Sequence, residues 1–478
     1  MRLIPALSLV LSLHTAGCRE KEAVDLGPKE PTSSSALVPV EIPKLSFDTV
    51  PISTPGPAYL LDDDGTLWMI DTAGTVSEVD VPAVDADKSR DSELVLDKTS
   101  ETSDLRLTRG PDGRAYVLGH AKTCGALYRL EGATATPIVA WPGDDRFDGF
   151  ALQVAPEPTL WLFVDSLVRP GLVSTKFTSR WATKWNSETK VDSPKAMAVD
   201  GAGQLWIVGR KGLQTVKDGS VNVLPALEGL DDFSAIAATP AGVFVLTSAY
   251  DNSKLHRFAP GKTSPEMVLK VESADVLGST AAGEVIVGPI RDRTLVRIGS
   301  DGKQSSVKVP EVYDSVRPHA TADVDGRGRV WVVDLNQLGV VDAGARPAAT
   351  TFFPIGTLPK IDALIRHIVV VGSGPEKLPT KVPTRTGTLR GSITNNGQAM
   401  PDTKVALCAK TQVGFFSGDS PCADPKWILK TNAEGVYEAR DLPAGPYLLA
   451  IEQEAGKWSV SIDRYTVRAG TVTDLTKR

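Results

Sequence analysis

Apolar and polar positions along this chain recur as one phrase: a short polar turn ending in Gly, then a run of apolar residues with an aromatic near its start. It reads DDDGTLWMI from Asp62 to Ile70, GPDGRAYVLG from Gly110 to Gly119, VDGAGQLWIVG from Val199 to Gly209 and VDGRGRVWVVD from Val324 to Asp334. Weaker copies begin at Ala155, Thr239 and Ser279. With Trp68, Tyr116, Trp161, Trp206, Val245, Ile286 and Trp331 taken as equivalent, the steps run about 38 to 48 residues. Alternation within one step predicts four strands: Ala196 to Val199, Gln204 to Val208, Leu213 to Lys217 and Ser220 to Leu224.

Four short strands per step, repeated over about 300 residues, predict a β-propeller, which counts as one domain despite its length. Seven blades are expected between Pro57 and Phe353, with six or eight left open by the means of closure. Leu37 to Val50 alternates enough to supply a closing strand, and Ile361 to Val371 is a second candidate. Small residues in the first strand suit crowding at the axis. Gly and Asp suit turns that need positive φ or a local side-chain hydrogen bond. The aromatics are expected to fill the wedges between blades, a structural role before any ligand stacking.

The D-x-x-G-x-[LV]-W phrase, as in Asp200 to Trp206, resembles the propeller families that include NHL-repeat proteins, streptogramin lyases and gluconolactonase-like hydrolases. That resemblance implies the fold. The lactonase-like enzymes hold a divalent metal in the channel with Glu, Asn and Asp, and the lyases use a His near a metal; no residues here match either set. Asp62 to Gly65 and Asp323 to Gly326 carry clustered carboxylates but do not continue as a calcium loop, so they read as turns. His319 and Asp323 flank an innermost strand, and either could face the channel. The chain has no G-x-S-x-G elbow, H-E-x-x-H or P-loop.

Arg2, the apolar run Leu3 to Leu13 and the small residues Thr15 to Gly17 make a targeting segment too short to span a bilayer. The run Leu13 to Cys18 resembles the lipobox of bacterial lipoproteins, which implies lipidation at Cys18 and a membrane anchor of about 0.8 kcal/mol per buried methylene. An ordinary signal peptide with an incidental cysteine is the other reading. Residues 19–39 are charged, then rich in Pro and Ser, as a flexible tether is. Arg19 after the lipidated Cys favours the outer over the inner membrane of a bacterial cell envelope.

Net charge is −6 with 52 Lys and Arg against 58 Asp and Glu, interspersed, so nucleic acid is not an expected partner. In an exported chain the neighbouring Cys408 and Cys422 are expected to form a disulfide closing a short loop, worth about 3 kcal/mol in the chain-entropy model. Zinc is disfavoured because His120, His256, His319 and His367 lie at no metal-site spacing from a Cys pair. Cys124 reads as a lone thiol.

Three prolines mark a linker at 374–385, which separates the propeller, 40–373, from a second domain at 386–478. There GTLRGSI from Gly387, TNAEGVY from Thr431 and DLPAGPYLL from Asp441 predict a small Greek-key β-sandwich. These three elements resemble, in order, the carboxypeptidase regulatory-like domain, related to transthyretin-like folds; the resemblance implies an accessory module. Phe415 and Phe416 in the Gln412 to Lys426 insert, with Trp427 and Trp458, form the candidate binding loop, and Trp427, Trp458 and Tyr465 could stack on a sugar. The expectation is an all-β, lipid-anchored envelope protein that binds or scaffolds a protein or glycan without catalysis and without a cofactor. A hydrolase or lyase using a divalent metal in the channel is the alternative.

Overall fold

The computed structural model describes residues 48–475 apart from short internal stretches, of which 177–185, 309–320 and 412–421 are the longest. Cys18, the tether, His319, Phe415 and Phe416 lie outside the described residues. Every regular element among the described residues is a strand.

Seven four-stranded antiparallel sheets make the propeller. Their innermost strands are Ser103–Arg109, Phe147–Gln153, Pro194–Val199, Phe233–Thr239, Val276–Ser279, Thr321–Val324 and Ile365–Val370. The last packs between Thr321–Val324 and Ser103–Arg109, which completes the circle. In that blade Ile365–Val370 pairs with Ala58–Asp62, followed outward by Leu67–Ile70 and Val76–Glu78. Closure therefore uses the second candidate segment. Leu37 to Val50 is not the closing strand of this blade, and residues 48–50 form no strand. The physical reason is burial: Ile365, Ile368 and Val370 all enter the apolar wedge that also holds Trp68 and Trp331. Each such side chain contributes about 1.5–3 kcal/mol when removed from water.

This closure displaces the first copy of the phrase by one strand. Trp206 and Trp331 lie on the second strand of their blades, whereas Trp68 lies on the third, Leu67–Ile70. The innermost strand of blade 1 arrives from the far end of the array, so its turn motif serves the next hairpin outward. The turn itself is conserved in chemistry. Asp200 Oδ1 accepts from the backbone N–H of Ala202 (2.9 Å) and Gln204 (3.0 Å), while Oδ2 accepts from Trp206 Nε1 at 2.8 Å. Asp62 does the same for Asp64, Thr66 and Trp68, and Asp325 for Arg327, Arg329 and Trp331. In blade 2 the Tyr116 hydroxyl donates to Asp112 at 2.7 Å instead. The carboxylate thus ties the tight turn to the aromatic that fills the wedge, and Gly203 accepts the φ of +78° the turn requires. Blade 3 has Ala155 in the Asp position, and Trp161 Nε1 is buried without a hydrogen-bond partner among the described residues.

A hairpin not foreseen, Pro82–Val84 with Leu96–Glu101, packs on blade 2, where Tyr128 donates to Pro82 O at 2.7 Å and Cys124 Sγ lies 3.2 Å from Val84 O. The C-terminal domain is a sandwich of two sheets. One has Thr386–Ser392 between Val436–Pro443 and Val472–Asp474; the other runs Cys422–Lys430, Lys404–Thr411, Gly445–Glu454, Lys457–Val467. Leu389, Val405, Leu407, Tyr437, Tyr447 and Leu449 fill the space between them. Cys408 and Cys422 are bonded across adjacent strands on the outer side of the larger sheet, Cα to Cα 4.9 Å.

Candidate functional site

The innermost strands all begin on one face of the ring, called upper here, and end on the lower face, those of blades 2, 4 and 7 at Asp turns. The lower end of the channel is obstructed. Arg109, at the end of an innermost strand of blade 2, reaches across the axis to Asp323 Oδ2 (2.5 Å), Val370 O (2.5 Å) and Ser279 O (3.1 Å). Asp323 also accepts from Val370 N–H at 2.7 Å. Burial pushes the Asp323 carboxyl above its ordinary range, while Arg109 and the backbone N–H groups of Val370 and Val324 pull it back. Below this crossing lies a mainly apolar cavity of about 560 Å³, lined in part by Met197, Ile236, Leu277 and the chain's own Thr49 and Val50.

Those two residues belong to a strap. Val50 N–H donates to Asp112 O (2.8 Å), Arg114 donates to Asp48 O, and Ser373 N–H donates to Thr54 O (2.8 Å). At Gly326 a Cβ would lie 1.8 Å from Ile52 O, so only Gly lets the strap pass so close. The first described residues therefore lie across the lower face.

The upper face holds an open cleft of about 1020 Å³ between blades 1 and 2. It is lined by Leu61, Leu67, Leu105, Leu107 and Phe150 together with six carboxylates, two guanidinium groups and two imidazoles. The Asp62 to Gly65 turn forms one edge, and its carboxylates are engaged. Asp62 serves the turn and Trp68, Asp63 pairs with Arg366, and Asp64 pairs with Arg468 of the sandwich at 2.7 Å. Burial pushes the Asp62 carboxyl up against the pull of Trp68 and the backbone. The His367 imidazole is pushed below its ordinary value, first by desolvation and then by Arg366 and Arg106. Asp104, beside Arg106, holds a left-handed φ of +50° next to an irregular register between Ser103 and Arg106.

The sandwich reaches this face through the linker. From Gly374 the linker passes the lower turn of blade 1, where Glu376 and Lys377 N–H donate to Thr72 O, and ends on the upper side, where Val382 N–H donates to Thr357 O. Arg385 pairs with Asp362 at 2.5 Å and donates to Leu358 O and Ile361 O. Ala469 N–H also donates to Asp362. The sandwich thus contacts the ring beside the cleft.

The sequence-derived candidates fare unevenly. Trp427 packs into the sandwich interior with its ring 5.4 Å from that of Tyr447, and Tyr465 joins the same cluster. Trp458 lies on the opposite face of that sheet beside the disulfide. Trp427 and Trp458 therefore do not form one stacking platform. Asp323, expected near the channel, is spent on Arg109. His120 lines the upper cleft, edge-on to Trp141 at 6.5 Å. No group of three His, Cys, Asp or Glu among the described residues is arranged to hold a metal ion. No helix among the described residues is long and apolar enough to cross a membrane.

No protein-family model matches the chain, and no curated protein matches it. Solved structures similar to it are propellers of low identity. A catalytically inactive virginiamycin B lyase from Staphylococcus aureus with quinupristin is 12% identical over 54% of this chain and 86% of its own, with a TM-score of 0.39. A nidogen/laminin complex gives 12% over 55% and 96%, TM-score 0.37, and TolB from Acinetobacter baumannii 14% over 52% and 62%, TM-score 0.34. Likeness at this level carries no function.

Proposed function

We propose that this chain is a cell-envelope lipoprotein, anchored through Cys18, that acts as a non-catalytic binding module and takes a protein or glycan partner on the upper face of its propeller. The observation that carries the reading is the inequality of the two faces: the lower mouth is crossed by Arg109 and strapped by residues 48–54, while the upper cleft stands open. The sandwich, read as a regulatory-like accessory domain, would then stand beside the partner site.

Site-specific photocrosslinking in cells tests the partner face, with the probe at Glu78 or Asp80 on the upper face and at Gly201 or Pro240 on the lower. Adducts confined to the upper positions support the reading, and adducts confined to the lower positions overturn it. Labelling with a palmitate analogue, lost in Cys18→Ala, tests the anchor. Retention of the label in that variant would refute it.

A further inference from the structure

We propose that the apolar cavity at the lower mouth of the channel seats the chain's own residues 40–47, with Leu45 and Phe47 filling it. This goes beyond the upper-face reading and does not depend on it. Traced backward from Thr54 beside Ser373, the strap reaches Val50 beside Asp112 and Asp48 beside Arg114, both on blade 2. Thr49 and Val50 are part of the cavity's wall, so the chain before Asp48 starts at its rim. Residues 40–47 themselves lie outside the described residues. Extended, these eight residues reach up to about 26 Å, whereas a sphere of the cavity's volume, about 560 Å³, is about 10 Å across.

The chemistry of the cavity matches that segment. Among the described residues its lining carries two charged side chains, and both are engaged: Arg109 with Asp323, and Asp200 with its own turn and Trp206. Met197, Ile236 and Leu277 stand half-buried around it, so an uncharged, apolar occupant removes further apolar surface from water. Pro194–Val199, Phe233–Thr239 and Val276–Ser279 each end their sheets, which leaves a backbone edge toward the axis that no described strand pairs with. Such an edge suits an extended chain. Residues 40–47 read Val-Glu-Ile-Pro-Lys-Leu-Ser-Phe, and Pro43 biases Ile42 toward an extended backbone. The segment has the alternation of a strand, yet Ile365–Val370 takes the place at the seam that it could have filled. Its apolar side chains need another seat, and this cavity begins where the segment ends.

The test is photocrosslinking of the full mature chain, with a benzophenone amino acid in place of Phe47 or a diazirine analogue in place of Leu45, followed by peptide mapping. The expected products join the chain to itself at peptides containing Met197, Ile236 or Leu277 and add no partner mass. L45D/F47D should empty the seat. With its fold confirmed by circular dichroism, that variant should bind an apolar dye that wild type does not, and should take up the free peptide of residues 40–47 in trans. Wild type should bind the peptide about tenfold more weakly or less, because its tethered copy competes at an effective concentration of about millimolar. Crosslinks only to outer strands, to a second copy or to another protein, or no self-crosslink at all, overturn the proposal. Equal dye binding and equal peptide uptake by wild type and a folded variant overturn it too. The two photoreactive chains keep an apolar side chain at each position, so the crosslinking result decides the matter even where L45D/F47D fails to fold.

Discussion

Asp200→Ala isolates the device that repeats around the ring. The substitution removes acceptors from two backbone N–H groups and from Trp206 Nε1. The Ala202 N–H is exposed and regains water, so it costs little, whereas the Trp206 side chain is 3% exposed and its N–H is left with no acceptor. A buried donor left unsatisfied costs about 1–3 kcal/mol, and a hydrogen bond to a charged group contributes about 1.5–3 kcal/mol. With the partly buried Gln204 N–H included, the expected loss is about 3 kcal/mol. Asp200→Asn keeps an oxygen for the turn but turns an amide N–H₂ toward the indole, so about half that loss should remain. The assay is urea unfolding followed by far-ultraviolet circular dichroism, with the midpoint compared at constant m-value. Trp206→Phe and the double variant complete a cycle, and a coupling of about 1.5 kcal/mol or more is expected. Trp161→Phe is the internal control: its indole N–H has no partner among the described residues, so it should cost less than Trp206→Phe. A coupling under about 0.5 kcal/mol, or equal costs for the two Trp variants, would refute the assignment.

Arg109→Met strands the buried Asp323 without its counter-charge and should cost about 3–5 kcal/mol in the same assay, while Arg109→Met with Asp323→Leu should recover much of it. A single variant as stable as wild type would show that the crossing holds nothing. His367 has a depressed folded-state value, so the unfolded chain binds its proton first; stability should fall as pH drops through about 6.5 toward the folded value, and His367→Gln should flatten that slope. Cys408→Ser should destabilise the sandwich by about 3 kcal/mol, read as an earlier second transition in calorimetry, with the propeller transition unmoved.

The blade phrase was legible because one local geometry demands its residues: Asp at the turn, Gly at positive φ, an aromatic six positions past the Asp. What escaped was everything set by distant chain. Trp68 matches Trp206 in local sequence, but its strand number depends on a segment about 300 residues further on. Leu37 to Val50 and Ile361 to Val371 alternate comparably, and only the wedge around Trp331 decides between them. The upper cleft draws Glu78, Arg106 and His367 from three separated segments. One signal for it was available: strands at a crowded axis favour small or apolar residues, and Asp104, Arg106, Arg366 and His367 break that pattern. Trp427 and Trp458 are both aromatic and both in the sandwich, but the strand register, which the sequence does not show, assigns them to opposite faces of one sheet.

The closing strand also sets the order in which the molecule can be finished. Blade 1 begins at Ala58, yet the strand that pairs with Ala58–Asp62 emerges only after Val370. At about 5–20 residues per second, the intervening chain takes roughly 15–60 s to synthesise. Throughout that time the Ala58–Asp62 strand, apolar but for its last residue, presents an unpaired edge, the kind of surface that recruits foreign strands. The ring is therefore vulnerable at its seam for as long as it is incomplete, and truncation anywhere before Ile365 leaves that seam open.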